Sequence, residues 1–204
     1  ANDRMRSELT KHLERQFGDR PDLLAAAIPN YPPGAKRMLA DNGVWAKALK
    51  RPNVELVTEG IDRIDASGVA TAAGRHIDAD VLIYATGFAA SDFLAPMTIV
   101  GRDGVELHDR WNGDARAYLG ISVPGFPNLF CMYGPNTNIV VNGSIIFFSE
   151  CEASFILECV RTLLTTGGAA LDVTQEAHDE YNAMIDEANR KKAWGASGVS
   201  AWYK

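Results

Sequence analysis

From Glu8 to Phe17 apolar residues recur at four-residue steps, at Leu9, Leu13 and Phe17, and so line one face of a helix that serves packing. Asp19-Arg20-Pro21 breaks that pattern, and Leu23 to Ile28 predicts a second, short helix stopped before Pro29. The stretch Pro29 to Gly34 is barred from regular structure by three prolines and a glycine, and reads as an ordered loop delivering Lys36 and Arg37. Val44 to Leu49 predicts a helical turn or two, and Val54 to Thr58 a β-rich strand. Three short runs, Ile61–Asp65, Val69–Ala72 and His76–Ile77, are separated by Ser67-Gly68 and Ala73-Gly74 and predict a small antiparallel meander. Val81 to Tyr84 follows as four consecutive apolar residues bounded by Asp80 and Gly87. Such a run reads as a buried strand of the parallel kind, both faces covered, ending in a glycine turn.

Beyond Phe88 the polarity is mixed. Met97–Val100 and Val105–Leu107 flank Gly101 to Gly104 as a hairpin, Trp111 to Gly125 is loop-rich, and Leu129 to Met132 predicts a second buried strand. A turn rich in Asn and Gly spans Gly134 to Gly143. The longest helix is expected over Ser144 to Leu164, apolar nearly all round in its first turns and therefore central, ended by Gly167-Gly168. Thr174 to Ala188 predicts an amphipathic helix with Thr174 as N-cap.

With 47% hydrophobic and 23% charged residues, and no uninterrupted apolar window of about 18, the chain reads as a soluble protein without a membrane span. A net charge of -6 with no basic block argues against nucleic acid as a partner. Cys131, Cys151 and Cys159 are odd in number and form no C-x-x-C, which fits neither a disulfide scaffold nor a zinc site and points to a reducing cytoplasm. His12, His76, His108 and His178 lack metal-ligand spacing, so no metal is assigned. Trp111 and Tyr118 read as core or interface aromatics, and Asp109-Arg110 as exposed charges. Two chemical readings stay open at this point. Gly87 permits close approach of a ligand at a strand's carboxyl end, yet an ordinary core strand with a glycine turn has the same pattern. Lys36-Arg37 suits an anion, yet a solvated surface pair does too.

Four motifs in order carry a family resemblance. Asp80-Val81-Leu82-Ile83-Tyr84-Ala85-Thr86-Gly87-Phe88 resembles the D-x-(apolar)3-A-T-G-(F/Y) segment of flavin-dependent monooxygenases. Pro32 to Arg37 resembles the P-x-G-x-K-R stretch of the Baeyer-Villiger enzymes among them. Gly125-Phe126-Pro127-Asn128-Leu129-Phe130 with Gly134-Pro135-Asn136-Thr137 resembles their G-F-P-N-(L/M)-F…G-P-x-(S/T) segment, and Ser200 to Lys204 their S-x-W-Y loop. Gly134 to Asn138 with Asn142-Gly143-Ser144-Ile145 is most similar to the hydroxyacetophenone monooxygenase type, although Asn136-Thr137-Asn138 stands where many Baeyer-Villiger enzymes have Gly-Ser-Pro.

The resemblance implies an α/β chain with part of an FAD/NAD(P)-binding, Rossmann-like fold: a C-terminal portion with a small β-meander and two long C-terminal helices. Residues 1–79 would be the tail of the NADP-binding domain and residues 80–204 the C-terminal part of the FAD-binding domain, cut in its last loop. It implies FAD and NADPH as cofactors of the parent enzyme, not expected to be retained by these residues alone, and oxygen and a ketone, expected to be an aryl ketone, as reactants giving an ester. Arg37 takes the catalytic role, a guanidinium stabilising negative charge on oxygen, and Lys36 meets the NADP ribose phosphate. Thr86, Gly87, Gly134, Asn136, Asn142, Gly143 and Ser144 are the implied flavin-side contacts, and Trp202 folds over the nicotinamide cofactor. No G-x-G-x-x-G turn occurs, so these 204 residues by themselves are expected to be inactive. They are also expected to self-associate through apolar surface on Val81–Tyr84 and the helix from Ser144. A flavin N- or S-monooxygenase is the rival enzyme, and a non-catalytic interaction module derived from a flavoprotein the rival from another class.

Overall fold

A computed structural model describes residues 2–38, 41–139 and 143–199. The architecture is α/β, and the chain divides into two compact units, Ala1–Pro33 with Met38–Phe88 and Gly34–Arg37 with Ala89–Lys204.

In the first unit, α1 (Asn2–Phe17) packs on α2 (Pro21–Ala27) and α3 (Val44–Leu49). Phe17, Leu23 and Ala46 are buried at the centre, with Leu13, Leu24, Leu49 and Leu56 packed around them, and Trp45 meets Phe17 edge-on at 5.7 Å. Leu9, on the same stripe, is 40% exposed, so the stripe buries only its C-terminal end. Pro21 begins α2, where its missing N–H costs nothing. Lys50 Nζ donates to the orphan carbonyl of Gln16 (2.8 Å) and to Asp19 (3.0 Å). The proline-rich loop is ordered as expected, because Arg6 donates to the carbonyls of Pro29 (3.2 Å) and Tyr31 (2.6 Å).

The meander forms as β1 (Ile61–Asp65), β2 (Gly68–Thr71) and β3 (His76–Asp78), antiparallel in that order with Ile61 opposite Thr71 and Val69 opposite Ile77. Gly68 is required there, since a Cβ would lie 2.0 Å from the Ile77 carbonyl oxygen. Two expected strands do not form. Val54–Thr58 and Val81–Tyr84 carry no regular secondary structure, with Val81 77% and Ile83 88% exposed. A parallel-type strand needs hydrogen-bonded neighbours on both sides, and no strand among the described residues pairs with Val81–Tyr84.

The second unit is built on Leu107, Trp111, Ala117, Val123 and Phe126, with Phe93, Ile99 and Leu129 against them. The expected hairpin is reduced to one bridge, Val100 to Glu106, beside a bond from Leu107 N to Ile99 O (2.9 Å). A short helix missed in the sequence, α4 (Leu107–Trp111), follows at once and buries Trp111, whose Nε1 donates to Arg116 O at 2.8 Å. Asp109 and Arg110 are exposed, as expected, and Arg110 donates to Gln175. Leu129–Met132 is not a strand. Asn128, at φ 62°, turns the chain there and bonds its side chain to the 169–171 backbone, while Leu129 N donates to Phe126 O (3.2 Å) and Cys131 N to Ile121 O (2.8 Å).

The two long helices are α5 (Ile145–Thr166) and α6 (Gln175–Arg190). Ser144 Oγ caps α5 by accepting from Phe147 N, Gly167 at φ 68° ends it, and Thr174 caps α6 as expected. However, α5 is not central: Ile146 is 72%, Leu157 56% and Leu164 80% exposed, because a helix apolar all round needs cover on every side and has it only along part of its surface. Among the described residues no helix is long and apolar enough to cross a membrane.

The meander carries a pH signature. Ser67 N, then the Ser67 hydroxyl, then His76 donate to Asp65 and hold its pKa down to about 2, and Asp65 in turn raises that of His76. The His76 contribution is complete below its unfolded pKa of about 6.5 and is lost as pH rises through the raised folded value. The Asp65 contribution is complete above about 3.9 and is lost as pH falls toward its folded value. Thermal unfolding against pH is therefore expected to show greatest sheet stability between about 4 and 6.5, and His76→Ala to remove the alkaline side and, because His76 also donates to Asp65, to weaken the acid side by less.

Candidate functional site

The segment Tyr133–Ile139 in the second unit is a backbone turn held against its own preference. Tyr133 (φ 55°) and Asn136 (φ 62°) are both left-handed, which costs a residue with a Cβ about 1 kcal/mol each. Side chains meet that cost. The Tyr133 hydroxyl donates to Asn138 Oδ1 and accepts from Ile139 N, both at 3.2 Å, so the ring spans the turn. Thr137 Oγ1 donates to Gly134 O at 2.8 Å, and Asn189 Nδ2 to Asn136 Oδ1 at 3.4 Å. From α5, Glu152 Oε1 accepts the Tyr133 N–H at 3.0 Å. Two glycines make the approach possible: a Cβ on Gly134 would lie 2.3 Å from Gly120 O, and one on Gly120 would lie 2.0 Å from Thr137 Cγ2.

This turn walls a cavity of about 240 Å³, with Phe93 giving an aromatic surface and Ser91, Asp114, Tyr133, Asn136 and Asn138 giving polar groups. A second hollow of about 430 Å³ shares Asp114 and Asn136 and adds Arg116, Asp186 and Asn189. Arg116 is committed to structure. Burial opposes its charge, but bonds to Asp114 (2.9 Å) and Asp186 (2.6 Å) outweigh it and raise its pKa. Amide groups able both to donate and to accept, beside an aromatic face, suit the polar edge of a planar ring. The first cavity is below the usual 300–1,000 Å³ of a drug-sized site, so it fits one end of a dinucleotide and not the whole.

Of the residues singled out in the sequence, Gly134 and Asn136 meet at this cavity. Lys36 and Arg37 are exposed, flanking the buried Ala35, and are not among the cavity's lining residues. Gly143 and Ser144 are exposed at the head of α5, where Ser144 does the capping. Thr86 and Gly87, the latter at φ 84°, are exposed in the first unit. Asn142, Trp202 and the rest of the 200–204 motif lie outside the described residues. Ser91, Asp114, Tyr133, Asn138 and Glu152 were not picked out by the sequence. The Asn- and Gly-rich composition pointed to the turn, but no local signal marks a left-handed tyrosine or an acid 19 residues further along the chain.

The two glycine positions test this packing. Gly113, at φ 80° with open space around it, isolates the backbone cost of an added Cβ, about 1–2 kcal/mol. Gly120→Ala adds the collision with Thr137 and is expected to cost about 1–3 kcal/mol more than Gly113→Ala in urea unfolding. Equal costs would show that the turn does not rest on Gly120.

No family model matches the chain. It is 36% identical, over its whole length, to an uncharacterized monooxygenase of Sinorhizobium fredii, of which it covers 31%. It is 32% identical over 95% of its length to a Baeyer-Villiger monooxygenase of Pseudomonas aeruginosa, covering 36% of that protein. In structure it matches OTEMO in complex with FAD and NADP at a TM-score of 0.84 and 28% identity, over 98% of this chain and 38% of the other. The chain thus spans about a third of the length of the curated relatives it matches. Along that span it is homologous to part of a group of monooxygenases whose members include enzymes named as Baeyer-Villiger and as FAD-binding monooxygenases.

Proposed function

We propose that the chain is part of an FAD- and NADPH-dependent Baeyer-Villiger monooxygenase of the cytoplasm, which consumes a ketone, oxygen, NADPH and a proton and yields an ester, NADP+ and water. The observation that carries this reading is the likeness to relatives of that name along essentially the whole chain, with the motifs around Arg37, Gly87 and Gly134 in family order. The hydroxyacetophenone type, and with it an aryl ketone, is favoured by Gly134 to Asn138 followed by Gly143-Ser144-Ile145.

When bound, FAD reduced by NADPH supplies the activation of oxygen. The chain's own residues supply binding and electrostatics. The amides of Asn136 and Asn138 would hold the polar edge of the flavin ring at the cavity, and Gly143 and Ser144 would place the positive end of α5 nearby. Lys36 would meet the ribose phosphate of NADPH as a point charge. Arg37 would stabilise negative charge on oxygen, since a guanidinium keeps its proton at any working pH and presents a rigid fork of donors. Without a G-x-G-x-x-G turn the 204 residues alone are proposed not to turn over.

The test uses the longest open reading frame containing these residues. Incubation with FAD, NADPH and an aryl ketone under labelled oxygen is expected to give an ester carrying one labelled atom. Arg37→Ala is expected to lower ester formation by about 100-fold or more, while NADPH oxidation persists. Oxidation of amines or sulfides without ester formation would favour the N- or S-oxidising rival.

We further propose that the 204-residue chain self-associates through the exposed apolar surface of α5, including Ile146, Leu157 and Leu164. Light scattering is expected to show mass rising with concentration, and Leu157→Glu with Leu164→Glu to return it toward one chain. A wild-type monomer at high concentration would refute this.

A further inference from the structure

We infer that Glu152 is a positioning residue for the candidate site, holding the Tyr133–Ile139 turn in the shape that brings Asn136 and Asn138 to the cavity wall. Its bearing on flavin rests on the function proposed above, whereas its hold on the turn does not.

The argument begins with where α5 spends its burial. Most apolar residues of this helix are exposed, and only Glu152 (4% exposed) and Cys159 (8%) are buried. A helix that leaves Ile146 and Leu164 in solvent while enclosing a carboxyl group gains no hydrophobic stability from the choice, since burying a polar group is unfavourable unless it is hydrogen-bonded. What Glu152 gains is one bond, Oε1 to the Tyr133 N–H at 3.0 Å. Its second oxygen is buried with no partner among the described residues. The burial is therefore organised around the single N–H of Tyr133.

That N–H begins the turn. Tyr133 is left-handed at φ 55°, and its hydroxyl ties Asn138 and Ile139 to the same ring. A shift of Tyr133 would thus carry the far end of the turn with it, and both ends line the cavity. An acceptor fixed on a 22-residue helix is stiffer than one on a loop, which suits a group whose task is to fix another.

The acceptor, and not the size or the burial, is what the role requires, and three variants separate these. Glu152→Gln keeps an oxygen for the Tyr133 N–H, Glu152→Leu keeps the volume without an acceptor, and Glu152→Asp keeps the charge but withdraws the oxygen by one methylene. Hydrogen exchange at the Tyr133 amide and the side-chain amide resonances of Asn136 and Asn138 are read in the full 204-residue chain. Glu152→Gln is expected to stay within about 3-fold of wild-type protection with unmoved resonances, and Glu152→Leu to lose protection by about 10-fold or more with both Asn resonances displaced. If Glu152→Leu does not fold, Glu152→Asp is expected to show the same losses.

Wild-type protection and resonances in the Leu and Asp variants, with only a lower Tm, would make Glu152 a core residue and overturn the inference. Failure of Glu152→Gln as complete as that of Glu152→Leu would overturn it too. An FAD titration of the product of the longest open reading frame containing these residues reads the functional layer, where wild-type binding weakened about 10-fold by Glu152→Leu and restored by Glu152→Gln is expected. Absence of FAD binding by that wild-type product counts against the flavin reading, and the exchange result then decides Glu152 on its own.

Discussion

A left-handed turn built from residues that carry a Cβ does not persist by its own preference, and the second unit is arranged to supply what Tyr133–Ile139 lacks. Gly120 and Gly134 give it room, because a Cβ on either would collide with the other side of the approach. Thr137, Asn138 and Asn189 close it with side-chain bonds, and α5 reaches in with Glu152. The elements that look like scaffolding, α5 and α6, therefore also contribute hydrogen-bonding groups to the turn. This is the usual relation between a strained loop and a rigid frame: the strain survives because its surroundings over-determine it.

The same frame explains the chemistry of the cavity. Asn136 and Asn138 offer amides that both donate and accept, and Phe93 offers an aromatic face, while Arg116 is neutralised by Asp114 and Asp186 and so contributes position more than field. The cationic groups implied for catalysis, Lys36 and Arg37, lie on the surface, outside the lining of this cavity. In the proposed function, binding of a planar ring edge and stabilisation of charge on oxygen would thus be divided between two stretches of sequence. OTEMO, to which this chain is similar, is solved with both FAD and NADP.

Much of this was legible in the chain. The helices α1, α2, α3, α5 and α6 and the three-stranded meander follow from apolar spacing, proline and glycine punctuation and caps such as Thr174, all of which act within a few residues. Four short motifs in order pointed to flavin monooxygenases. What local pattern misread was burial. Val81–Tyr84 reads as a core strand and Ser144–Leu164 as a central helix because apolar runs are normally covered, yet covering is a property of neighbours and not of the run itself. Leu129–Met132 failed for a related reason: Asn128 turns the chain and spends its hydrogen bonds on residues 169–171, so no ladder develops.

The sequence by itself determined the helical and meander elements, the composition of the turn and the family resemblance, since each rests on residue types at short, fixed spacings. Only the tertiary structure decided that Tyr133 is left-handed, that Asn138 and Asp114 share a cavity with Asn136, and that an acid on α5 closes the turn. The last two facts depend on groups such as Asp114 with Asn136, or Glu152 with Tyr133 at 19 residues' separation, that meet only after packing. A glutamate on an apolar helix looks the same in sequence whether it faces water or a buried N–H, and the difference lies in what the rest of the fold brings against it.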